Sequence, residues 1–295
     1  NKIKFDKIND QIQALESNYT LEVLKETFNE HVEVKKPVHI IANTTASINC
    51  DSNDALTCCS YNAIFENFTF SYRGNDEFSA AKITSGNATF INCEFTSSKF
   101  HSVKVENSSK ATFIGCRFTG SPQSNIFVEG NASVTLTNCK IYGAKSYGIE
   151  LSGKSAANVK QCEIHTSTNG VSISDNASAF FDQCKVHTNT KNGFCIKSKS
   201  NNIILQSNEI SEHLDDFPIF IDNSNVKLIS NTITNNQTAI SAVNCSTVTT
   251  IRNKFTKPDS SSDKDFVVIG KSSKFDSKFD VYEGDVRNSI FIGGK

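Results

Sequence analysis

The sequence has no methionine and no tryptophan among its 295 residues. Without methionine it lacks an initiator residue, so it reads as a processed product or an excised piece. Without tryptophan it lacks the aromatic face on which sugar clefts most often rest, which counts against a carbohydrate site. No apolar run reaches membrane-spanning length, so no membrane span is expected; the N-terminus carries no secretory apolar core, and flanking domains or a removed signal are both left open. A charge excess is also missing. With 30 basic and 31 acidic residues the net charge is −1, which removes the electrostatic footprint of a nucleic-acid or anionic-membrane binder. The ten cysteines include no CxxC pair of zinc-site spacing, and no cofactor is expected. Nine Asn-x-Ser/Thr sequons run from Asn18 to Asn244. With 32 asparagines chance supplies roughly seven of them, so they do not establish secretion.

What is present is a repeat. Eight copies of one pattern, 22 to 24 residues apart, read FINCEF (90–95), FIGCRF (113–118), LTNCKI (136–141), VKQCEI (159–164), FDQCKV (181–186), LQSNEI (205–210), LISNTI (228–233) and TIRNKF (250–255). Taking Cys93, Cys116, Cys139, Cys162, Cys184, Asn208, Asn231 and Asn253 as origins, almost every residue three before and two after is apolar, as are those five before and about ten and twelve after. Alternation of period two within three short segments predicts three strands per repeat, each with one face inward. The odd offset between the residue three before the origin and the origin itself requires a bend without a loop. Gly148, Gly170 and Gly193 read as another corner. No repeat has room for a helix, so the expected fold is all-β: a parallel β-helix with one coil per repeat, its right hand assigned from the preference of parallel connections.

On coil length, stacked apolar columns and asparagine at the sharp bend (Asn92, Asn138), residues 30–270 resemble the right-handed parallel β-helix, pectate-lyase-like repeat superfamily. In character the chain is similar to the non-enzymatic β-helix regions of F-box and SHC-binding proteins. The resemblance implies a solenoid fold. It implies little about activity, because that superfamily holds lyases, hydrolases, tailspikes and scaffolds.

A solenoid must cover its open first coil. Ile3, Phe5, Ile8, Ile12 and Leu15 fall at near-helical spacing, which predicts a helical N-terminal cap within residues 1–30, followed by the β-helix over 31–270. Residues 271–295 are expected to form a C-terminal cap in which Val281 to Ile292 folds over the last coil, within one structural domain. The segment from Lys257 to Asp265 reads as a polar loop. Five of the ten cysteines occupy the origin column, where a free thiol acts as a small apolar residue, and asparagine replaces it in three coils with no pairing logic. A thiol stack is expected in preference to disulfides. A reducing, intracellular (cytoplasmic) compartment follows, with secretion as the alternative.

Two outward faces carry candidate chemistry. His165 and His187 stand one rung apart with Glu163 beside them, a metal-ligand or proton-transfer combination that competes with the plain reading of a polar sheet face. The second face surrounds Val103, Ile126 and Ile149. There Glu106, Glu129 and Glu150, with Asp215 and Asp216 in a preceding loop, are the carboxylates that glycoside hydrolysis or calcium binding would use. Phe127, Phe220, Tyr142 and Tyr147 are candidate binding aromatics. The Gly-His-Gly and Arg-x-Lys companions of pectin hydrolases and the arginine cluster of pectate lyases are missing. The reading favoured by elimination is a non-enzymatic scaffold with a protein partner bound through exposed Phe127 and Phe220. The alternative is a polysaccharide lyase, glycoside hydrolase or carbohydrate-binding β-helix.

Overall fold

The structure, a computed structural model, describes residues 7–16, 19–24, 26–213, 217–257, 267–284 and 290–292. The chain is an all-β right-handed parallel β-solenoid of about 11 turns with one short N-terminal helix, Ile8–Ala14. Ile8 and Ile12 of that helix are buried; Ile3 and Phe5 lie outside the described residues. The chain divides into two compact units, residues 1–146 and 147–295.

In the first unit each repeat places two strands around the bend and a third after a longer connection. Asn87–Ile91, Lys110–Ile114 and Ser133–Thr137 pair in parallel and in register, as do Glu94–Ser97, Arg117–Thr119 and Lys140–Tyr142. Ala81–Ile83, Val103–Val105 and Ile126–Val128 form the third face. The bend is one residue in the left-handed region just before each origin: Asn67, Asn92, Gly115 and Asn138 have φ of 64, 51, 63 and 54°. Glycine and asparagine tolerate this conformation best. In the second unit the same position holds Gln161, Gln183, Ser207, Ser230 and Arg252, with φ of 53–55°.

In-register stacking turns each inward position into a column. Phe65, Phe90 and Phe113 stack with centroids 5.1 Å apart and near-parallel planes, and Phe70, Phe95 and Phe118 do the same at 5.3 and 5.1 Å. The two columns meet edge to face, Phe113 against Phe118 at 5.1 Å and 77°. All ten cysteines are free, and the five at the origins are buried. The Cys116 thiol donates to the Phe90 carbonyl of the preceding coil at 3.3 Å, and the Cys139 thiol to the Phe113 carbonyl at 3.4 Å. The neighbouring thiols of Cys139 and Cys93, together with burial, push the Cys116 thiol well above the usual range.

The asparagine end of the column works differently. The backbone N–H and Nδ2 of Asn208 both donate to Asn231 Oδ1, at 2.9 and 3.0 Å, and Asn231 repeats the pattern onto Asn253 at 2.8 and 2.9 Å. Asn253 ends it on Asp280 Oδ1, at 2.6 and 3.0 Å.

Two local expectations need correction. Gly170 and Gly193 lie outside the left-handed region. They are glycines because a Cβ would meet Gly193 O at 2.6 Å and His213 Nε2 at 2.6 Å respectively, so crowding and not turn conformation selects them. Val281–Glu283, the start of the segment expected to fold over the last coil, does not do so. It pairs in parallel with Lys254–Thr256 as a further rung, and Tyr282 stacks on Phe255 at 5.1 Å. The polar loop expected from Lys257 to Asp265 falls, beyond Lys257, outside the described residues.

Candidate functional site

The face formed by Ala81–Ile83, Val103–Val105 and Ile126–Val128 brings the most chemistry together. Its flanking apolar residues are fully buried, so the middle residue of each strand must point outward. Register places Lys82, Lys104 and Phe127 side by side, and Glu106 and Glu129 follow at the ends of adjacent strands. The two carboxylates are joined through lysine. Lys104 Nζ lies 3.1 Å from Glu106 and 2.9 Å from Glu129, and Lys82 Nζ lies 3.2 Å from Glu106. Burial alone would lower the Lys104 ammonium; the hydrogen bonds and charges of Glu129 and Glu106 overcome it and hold the group above its ordinary value. Lys104 is therefore a fixed cation.

Phe127 is half-buried, not the exposed anchor expected from the sequence. The His101 ring stacks on it at 4.7 Å and 22°, Phe100 packs on His101 at 4.1 Å, and the Lys104 ammonium stands 5.8 Å from the Phe127 centroid. His101 is 5% exposed. Burial, then the Lys104 charge, push its imidazole down to about 4, so it is neutral at physiological pH. Its Nδ1 accepts a hydrogen bond from the Ser124 N–H at 3.2 Å, which leaves the proton on Nε2. His101 thus wedges the Phe127 ring from inside the connection before strand Val103–Val105.

The second unit has a simpler version. Lys197 lies over the half-buried Phe220 ring at 5.7 Å, and Asp222 accepts a hydrogen bond from Asn244 at 2.7 Å. Glu150 pairs across from Ser172. Tyr142 ends strand Lys140–Tyr142 and Tyr147 begins strand Tyr147–Leu151, both half-buried. Asp215 and Asp216 lie outside the described residues. In the same connection His213 is 4% exposed and neither ring nitrogen makes a hydrogen bond of normal geometry. Burial pushes it down to about 4, only partly opposed by the nearby carbonyls of Asn189 and Val186.

The histidine pair forms as the register predicts. His165 and His187 stack at 5.1 Å with planes 5° apart, and His187 Nε2 lies 3.2 Å from Glu163 Oε1. Each Nδ1 meets the hydroxyl of the next threonine, Thr166 or Thr188. Parallel rings send their nitrogens the same way and do not converge on a point. Among the described residues no group of three or more His, Cys, Asp or Glu is disposed to hold a metal ion.

Sequence reasoning missed Lys82 and His101. A Phe-His pair just before a strand whose outward residue is lysine was the available signal, but it lies in a connection with no counterpart in the other coils.

The comparisons with known proteins fit this architecture. Residues 124–278, just over half of the chain, match the family described as right handed beta helix region. No curated protein matches. Among solved structures, the A-module of the mannuronan C-5 epimerase AlgE4 of Azotobacter vinelandii superposes with a TM-score of 0.72 at 10% identity, covering 97% of this chain and 92% of that one. Pectate lyase Pel9A gives 0.61 at 11% identity, covering 77% and 71%. The alginate lyase of Paenibacillus sp. str. FPU-7 gives 0.56 at 9% identity, covering 94% of each. At such identities the likeness is one of fold. The chain belongs to the right-handed β-helix family.

Proposed function

We propose that this chain is a carbohydrate-active β-helix that binds a polysaccharide along the face carrying Lys82, Lys104, Glu106, Phe127 and Glu129. The observation that carries this reading is the Phe127 ring, held between His101 and Lys104 beside a row of alternating ammonium and carboxylate groups. The fixed row of charges bonds sugar hydroxyls, and the outward part of the ring that His101 and Lys104 leave uncovered meets the apolar C–H surface of the sugar. The similar solved structures are named for pectate, mannuronan and alginate, which supports a glycan over the protein partner favoured from sequence alone.

Binding, not turnover, suits the groups on this face. Two-carboxylate hydrolysis needs a protonated acid facing the leaving oxygen, and here both carboxylates face Lys104. Removing the proton beside a uronate carboxyl, the step that opens elimination or epimerisation, needs a base within reach of the sugar. His101 is withdrawn into the protein with its Nδ1 engaged.

Calorimetric titration with oligogalacturonate, oligomannuronate and a neutral oligosaccharide tests the proposal. Binding to at least one is expected, with Phe127→Ala weakening it about tenfold or more, equivalent to ~1.4 kcal/mol. No binding, or binding indifferent to Phe127→Ala, refutes the face. Appearance of unsaturated or epimerised product overturns the non-catalytic part.

A further inference from the structure

A separate cleft of about 410 Å³ lies in the first unit where three successive strands end. Asn29 pairs in register with Asn49, and Asn49 with Ser71; the residues that follow, Asp51 and Arg73 among them, form the walls. Two lining groups are already committed to the fold. Glu30 accepts from the Ile8 N–H and from Asn9 Nδ2 at the helix, and His31 Nδ1 is 2.6 Å from the Asp54 carbonyl.

Three are not committed in this way. Asp51 and Arg73 are exposed and line the same cleft without forming an ion pair with each other; the Arg73 Nε reaches only the Ser71 hydroxyl at 3.4 Å. Asn49 is 5% exposed. Its Nδ2 donates to Asn29 Oδ1 at 3.2 Å, while its Oδ1 is buried with no donor. A buried amide oxygen without a donor is a standing cost that a bound donor removes.

We infer that this cleft is a binding site for a single saccharide unit. The ligand must donate to Asn49 Oδ1 and Asp51 and accept from Arg73, and neighbouring hydroxyls on one ring do both. The volume sits at the low end for small-molecule pockets, which fits one sugar ring. An unaccompanied cation would face the Arg73 guanidinium, and a simple anion would face Asp51. The cleft is distinct from the Phe127 face and does not depend on it.

Ligand-observed NMR against methyl galactoside, methyl mannoside and galacturonate is the test. At least one should show transfer from the protein, and Asp51→Ala and Arg73→Ala, both at exposed positions that leave the core intact, should each weaken it about fivefold or more. Asn49→Ser adds a probe of the buried oxygen, with circular dichroism as its folding control. Phe127→Ala should leave this signal unchanged, which separates failure of the cleft from failure of the face. No transfer from any of the sugars, or transfer unaffected by both rim variants, overturns the inference.

Discussion

Phe113 shows what one residue contributes to a stacked core. It is fully buried, lies flat on Phe90 and meets Phe95 and Phe118 edge on. Phe113→Ala should cost about 3–5 kcal/mol in urea unfolding, because neighbouring rungs are fixed by backbone pairing and cannot collapse into the hole. The two buried histidines set an acid limit. His101 and His213 stand at about 4 in the fold against an ordinary 6.5, so the unfolded chain takes up protons first as pH falls. The stability linked to their neutral forms is complete above pH 6.5 and is lost between 6.5 and 4, at up to about 1.4 kcal/mol per pH unit for each. Below 4 they add no further change. Unfolding free energies measured across that window should show the slope, and His213→Asn should remove one histidine's share. The same change should raise stability at neutral pH, since Asn189 and Asn236 on the adjacent rungs bond through their amides where His213 bonds through neither ring nitrogen.

At the scale of the strand and its bend, the amide ladder is the part most sensitive to change. Asn231 Oδ1 accepts two donors from Asn208, and Asn231 itself donates twice to Asn253 and once to the Leu205 carbonyl. Asn231→Ala strands buried donors at roughly 1–3 kcal/mol each, so a loss of about 2 kcal/mol or more is expected by chemical denaturation. A thiol could not rescue the site, because Asn208 would keep both its donors and lose their acceptor. These elements were legible in sequence to differing depth. The bend was readable from the odd offset before each origin and from Asn92 and Asn138, and the strands from Val103/Val105 and their equivalents. The glycine corner was not, since Gly170 and Gly193 answer to contacts made by residues about 20 positions away. His101 was not, because it sits in a connection that obeys no repeat. Glu106 and Glu129 were placed correctly on adjacent rungs, but periodicity carries no information on which lysine binds them.

For the whole molecule the prediction concerns thiol chemistry. Cys245 is exposed and Cys59 and Cys195 are partly so, while Cys93, Cys116, Cys139, Cys162 and Cys184 are buried. A thiol reagent under native conditions should label Cys245 rapidly and reach the five ladder positions only on unfolding. Rapid native labelling of Cys116 or Cys139 would show that the origin column does not face inward. Fold and coil length were legible because eight copies repeat the same constraint. The functional faces were less so, because each is assembled once, from residues that differ between rungs.

The change from thiol to amide along the origin column has a consequence for how the coils find one another. Coils this alike can dock one repeat out of place and still bury the same apolar columns. The Cys184 N–H already donates to Asn208 Oδ1, each asparagine then requires an acceptor on the coil above, and Asp280 offers acceptors alone, taking Thr250 Oγ1 and the Ser277 hydroxyl on its other oxygen. A slipped coil would set an amide against a thiol or leave the carboxylate in mid-stack, each a buried polar mismatch. The column thus numbers its coils, and a carboxylate takes the place after the amides.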